Sequence, residues 1–196
     1  MLRAEGGPDA RSQLLTGPFS VIAGFIWGLA EATVFFIVPD VWITLVALFS
    51  WRQSFKVLSA TLMGALLGGS LMFWLGAHHP AQATVTVLHV PFVTQTMYDN
   101  TQHSFEQSGI TALLTGTVKG IPYKIFAVQA NRYSNWPIFI LASVIARLER
   151  FLPFWIIAAT LGAFFRKTTD RRPFLAVATH VCIWILGYAW YWSVVR

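Results

Sequence analysis

Two runs in this chain hold no formal charge for the thickness of a bilayer's hydrocarbon core. They are residues 57–77 and 173–195. At 1.5 Å of rise per residue, each makes a helix of about 30 Å or slightly more. About a quarter of the residues of a soluble domain are charged. Here 11% are charged and 56% hydrophobic. The chain therefore reads as an all-α integral membrane protein with one domain of five or six embedded segments. Its tryptophans suit membrane–water boundaries. With so few charges, the net +6 reads as basic loops facing anionic head groups, with no nucleic-acid partner. Cys182 is the single cysteine, which excludes an internal disulfide.

Two other apolar stretches are broken. Residues 18–51 carry Glu31 and then Pro39-Asp40. Proline removes a backbone donor and disfavours helix at Val38. The helix that can form beyond it, 41–50, is about 15 Å long, half a span. Residues 108–131 carry Lys119-Gly120-Ile121-Pro122-Tyr123-Lys124, and their apolar arms are also too short to span. Short segments interrupted by Gly or Pro, in corresponding places of two halves, point to re-entrant hairpins at a binding site. Pro39, Gly120 and Pro122 are the expected breaks. The stretch 137–165 is long enough to span but carries Arg147, Glu149 and Arg150 near its middle. Gly64 and Gly68 repeat the spacing of Gly24 and Gly28, which lets helices approach closely. Packing within one subunit is the expectation, with a homo-oligomer as the alternative.

The distribution of basic residues orients these segments. If 18–51 enters and leaves on one side, Arg3, Arg11, Arg52 and Lys56 share the cytoplasmic face. Helix 57–77 then crosses outward, and the Lys/Arg-free segment 78–107 lies outside as a loop. Hairpin 108–131 enters from outside and 137–165 returns, which puts Arg166, Lys167, Arg171 and Arg172 in the cytoplasm. A single crossing by 18–51 would reverse these signs. The expected architecture is two re-entrant hairpins in inverted repeat plus about three transmembrane helices. The N-terminal segment 1–17 is cytoplasmic and stays attached, 18–165 forms the membrane domain, and 173–195 is a last helix.

Glu31, Asp40, Lys119, Lys124, Arg147, Glu149 and Arg150 lie at apparent membrane depth. Facing lipid, they would together cost on the order of 20 kcal/mol. They must pair or line a wet cavity, and with four bases against three acids the surplus charge suits an anion. A carboxyl at Glu31 can carry a proton or pair with a base. Asp40 can do either, or cap the short helix after it. Lys119 and Lys124 flank Pro122 and suit phosphate. Arg147 and Arg150 share a helix face and suit forked recognition of phosphate oxygens. His78, His79, His89 and His103 do not converge on a metal site. No nucleophile–base pair stands out, so an enzyme is not expected, nor a cofactor.

The run Gly28-Leu-Ala-Glu31-Ala-Thr-Val-Phe-Phe-Ile-Val-Pro39-Asp40 resembles the first hairpin motif of the DedA family, the VTT-domain membrane proteins. Lys119-Gly-Ile-Pro122-Tyr-Lys124 is similar to the second hairpin motif, and Ala142-Ser143-Val-Ile-Ala-Arg147 to the helix after it. The pattern departs from the family's at Lys119, where arginine is common, and in having the lone Pro39 at the first break. The resemblance covers roughly residues 18–165. It implies two hairpins meeting at mid-membrane with Glu31, Asp40, Lys119 and Lys124 at the meeting point. It also implies transfer of a polyprenyl phosphate or anionic phospholipid across a bacterial-type cytoplasmic membrane, with proton coupling in many relatives. Lys119, Lys124, Arg147 and Arg150 then contact the phosphate. The residues alone leave open a proton-coupled small-ion transporter and a non-transporting scaffold.

Overall fold

The computed structural model describes Leu15 and residues 17–195, and among these every regular element is a helix. The expected N-terminal segment 1–17 lies almost wholly outside the described residues. In chain order the helices are α1 (Pro18–Thr33), α2 (Asp40–Phe49), α3 (Trp51–His78), α4 (Pro80–Leu88), α5 (Gln95–Ser108), α6 (Ala112–Val118), α7 (Tyr123–Gln129), α8 (Trp136–Phe164), α9 (Arg166–Arg171) and α10 (Pro173–Val195).

Both breaks fall where proline and glycine demand them. Pro39 stands at the N-terminus of α2, and Pro122 at that of α7. Gly120 turns the chain between α6 and α7 with φ of +85°, a left-handed conformation that side-chain-bearing residues rarely adopt. The two longest helices start on side-chain caps. The Ser50 hydroxyl accepts from the Gln53 N–H at the start of α3, and the Asn135 side-chain carbonyl from the Ile138 N–H at the start of α8.

The helices α3 and α10 are long and apolar enough to cross a membrane, by length and composition. With 29 residues, α8 has the length, but its three charges interrupt the apolar run. Segment 78–107, expected as a loop, folds instead mostly as α4 and α5. Its buried residues explain the difference. Ala83 and Val87 stand four apart on α4, and Tyr98, Thr101 and Phe105 line one side of α5, the spacing of an amphipathic helix.

After α2 the chain returns to the end where α1 began. The Gln53 side-chain amide donates to the Gly17 carbonyl at 2.9 Å and to Ser20 Oγ at 3.0 Å. Trp42 Nε1 donates to the Ser20 carbonyl at 2.9 Å. Residues 18–51 are thus a helical hairpin. Its first arm, α1, packs on the long helix that comes next in the chain, α3, while its second arm, α2, crosses to α8. The second hairpin does the same with the roles exchanged: α6 packs on α8, and α7 crosses to α3.

The paired glycines serve this packing within the chain. A side chain at Gly64 would strike the Phe25 carbonyl, and one at Gly28 the Thr61 carbonyl. The backbones of α1 and α3 therefore touch over two turns. Overpacking a core typically costs about 1–3 kcal/mol, so Gly64→Val is expected to cost at least that. Thermal unfolding in detergent checks it, and an unchanged midpoint would contradict the backbone contact.

Candidate functional site

Five ionisable side chains converge where the two hairpin breaks meet α8. Glu31 ends α1 and Asp40 begins α2, on either side of the first break. Lys124 lies in α7 just past the second break. Arg147 and Arg150 stand one turn apart on α8. Arg147 Nη1 lies 2.8 Å from Glu31 Oε2. Arg150 Nη2 lies 3.2 Å from Asp40 Oδ2 and 3.8 Å from Glu31 Oε1. Lys124 Nζ donates to the Phe35 carbonyl at 3.0 Å. The two hairpins are thereby joined through a carbonyl that the first break leaves without a helical partner.

Burial makes these contacts consequential. Arg147 is 1% exposed, Asp40 and Lys124 2%, and Glu31 4%. Three cations face two carboxylates, so the buried cluster keeps one positive charge in surplus. Its hydrogen-bonding capacity is also unfilled. Both Asp40 oxygens, Arg150 Nε and Nη2, and the Arg147 guanidinium nitrogens find no aligned hydrogen-bond partner among the described residues. Ion pairs of this kind satisfy charge before direction, and the spare donors fit a ligand with several acceptor oxygens.

The cluster is held from behind by an aromatic ring. The Arg147 guanidinium lies 3.9 Å from the centre of the Tyr123 ring, in cation–π range. The Tyr123 hydroxyl donates to Ser143 Oγ at 2.8 Å, one turn back on α8. Arg147 is thus a fixed anchor, while the less buried Arg150 borders a cavity.

That cavity has a volume of about 940 Å³ and lies between α2, α8 and α10. Glu31, Asp40, Lys124 and Arg150 border it where the hairpins meet. Apolar side chains of α8 and α10 make most of the remaining wall, Phe154, Ile157, Leu161 and Ile183 among them, and it runs on to Arg172. The helix α10 closes it through polar tips. The Val38 N–H at the first break donates to the Tyr188 hydroxyl at 2.9 Å. The Tyr191 hydroxyl donates to the Gly120 carbonyl at the second break, also at 2.9 Å. His180 Nε2 and Thr44 Oγ1 are 2.9 Å apart, and Trp184 Nε1 donates to Thr44 Oγ1 at 3.2 Å.

The expected site residues separate into groups. Glu31, Asp40, Lys124, Arg147 and Arg150 come together. Lys119 is exposed and outside the cavity wall, because it precedes the Gly120 turn while Lys124 lies beyond it. Glu149 borders the cavity but is exposed. Asp40 makes no side-chain cap on α2, since its carboxylate turns to Arg150. Gly120 and Pro122 line the cavity, and Pro39 turns Asp40 into it. Unforeseen members are Tyr123, Thr44, His180, Tyr188 and Tyr191. Tyr123 stands within the second hairpin motif, but its ring contact with Arg147 is a long-range one.

Comparison with protein-family models, curated proteins and solved structures returns no match.

Removing one partner of a buried ion pair typically costs about 3–5 kcal/mol, because the other charge is stranded. Glu31→Gln is expected to destabilise by that order, and Glu31→Gln with Arg147→Gln by clearly less. Unfolding midpoints of the wild type, the two single variants and the double variant check this, and simple additivity of the two substitutions would argue against the pairing.

Proposed function

We propose that this protein is a membrane lipid transporter that moves a polyprenyl phosphate or anionic phospholipid between leaflets. The observation that carries the reading is the cavity, which joins a cluster of surplus positive charge to a long apolar crevice. A lipid phosphate has the same division: an anionic head with several acceptor oxygens and a hydrocarbon tail. Arg150 supplies forked donors for phosphate oxygens, and Lys124 adds a point charge beside them. Pockets of several hundred cubic ångströms commonly hold one such ligand.

The topology belongs to the same proposal. The helices α3, α8 and α10 cross the membrane, and the hairpins 18–51 and 108–131 enter it from opposite faces. The exchanged packing of the hairpin arms supports an inverted repeat, the usual frame for alternating access. The N-terminus lies in the cytoplasm of a bacterial-type cytoplasmic membrane. The motif resemblance to the DedA family points the same way. The unfilled oxygens of Asp40 favour one addition, a proton carried with or against the lipid. A proton-coupled ion transporter uses the same carboxylates and predicts proton flux without lipid transfer.

The test is reconstitution in vesicles with a fluorescent anionic lipid, following its inner-leaflet fraction with and without a pH gradient. A hydrogen bond to a charged group contributes about 1.5–3 kcal/mol, so Arg150→Lys and Lys124→Gln should each slow transfer about ten- to a hundred-fold. Wild-type rates in both variants, once both are shown to insert, would remove the phosphate assignment. Proton flux with no lipid transfer would favour the ion transporter.

A further inference from the structure

Glycine inside a helix is unfavourable relative to alanine unless a close approach requires it. Every other α-helical glycine among the described residues has such a reason, since a side chain there would meet a neighbouring atom closer than 3.0 Å. Gly187, in the middle of α10, has no atom of the described residues within 4 Å of the position a Cβ would take. Its backbone is not left-handed either. Neither packing nor turn geometry accounts for it, and it faces the cavity.

The positions around it on the same face of α10 are large: Trp184, Tyr188 and Tyr191. Gly187 is a gap in an aromatic row. The gap has a definite place along the cavity. Tyr188 touches the first hairpin break, where the charged cluster lies. Trp184, on the other side, has its ring centre 5.8 Å from that of Phe154, one turn beyond Arg150 on α8. Gly187 therefore lies where the cavity passes from its charged end to its apolar stretch. A hydrocarbon chain attached to a head at Arg150 and running between α8 and α10 must pass it.

We propose that the seam between α8 and α10 is a binding site for a long hydrocarbon chain, and that Gly187 lacks a side chain to leave that chain its passage. Phe154, Ile157 and Leu161 form one wall and Ile183 the other. The lipid-phosphate reading enters only in what the chain is attached to. Dispersion and the hydrophobic effect alone hold the chain here, so the subsite selects for length and slenderness rather than for chemical groups.

The experiment uses the full chain in nanodiscs of zwitterionic lipid, with two probes bearing a photoreactive diazirine at mid-chain. One is a long-chain alkyl phosphate and the other the matching alcohol. Cross-linked residues are mapped by mass spectrometry in the wild type and in Gly187→Ala, Gly187→Phe and Ile157→Trp, the last filling the seam from the opposite wall. Labelling is expected at 154–161 and 183–187. Filling the open seam should lower it about tenfold or more in Gly187→Phe and Ile157→Trp, with little change in Gly187→Ala. Alcohol labelling in the seam without phosphate labelling would keep the chain site and remove the phosphate head. Phosphate labelling that depends on Arg150 but falls outside the seam would do the reverse. Undiminished labelling of the seam in both filled variants, or labelling only on the outer faces of the helices, would overturn the proposal.

Discussion

Two carboxylates and three cations buried in one apolar body constrain everything built around them. None of Glu31, Asp40, Lys124 or Arg147 can be left unpaired in that interior without a cost of several kilocalories per mole. Each must find an opposite charge or a carbonyl, and the partners come from three separate stretches of chain. The first break supplies the acids and the Phe35 carbonyl, the second supplies Lys124, and α8 supplies the arginines. The cluster therefore fixes the distance between the hairpin tips and the height of both on α8. It also leaves the fold with a low tolerance for losing any one member.

Backbone architecture and charge obey different symmetries. Each hairpin lays its first arm on its own long helix and sends its second arm to the other's, so the helices repeat. The charges do not: the acids belong to the first hairpin, and the bases to the second hairpin and α8. The two hairpins thus meet with complementary rather than like charges, which avoids the repulsion that a symmetric charge pattern would produce. The glycine contacts between α1 and α3 make that pair a single rigid unit, and the cavity forms on the opposite side, where α10 packs through polar tips.

Much of this was legible in the sequence, because burying charge is expensive and proline is directional. Glu31, Asp40, Arg147 and Arg150 announced themselves by interrupting apolar runs, and Pro39 and Pro122 marked the breaks. The choice between Lys119 and Lys124 was not legible, since a glycine with positive φ stands between them and decides which side chain turns inward. Helices α4 and α5 were hidden because the absence of Lys and Arg reads as a loop. The buried spacing of Tyr98, Thr101 and Phe105 was the signal available. The run 173–195 passed for a plain spanning helix, yet His180, Trp184, Tyr188 and Tyr191 recur along one side of it. The polar tips of that stripe meet the Thr44 hydroxyl and, at the two breaks, backbone groups, and one chain segment does not reveal where those lie.

The two tyrosines of α10 grip opposite halves of the molecule by complementary atoms, an N–H of the first break and a C=O of the second. The two residues stand three apart, nearly one helical turn, on a single helix. The helix thereby acts as a vernier between the halves. A slide of one break past the other by about an ångström stretches one of these bonds beyond hydrogen-bonding range while the other can stay with its partner. Displacement of one break past the other along the axis of α10 therefore costs at least one of these two bonds.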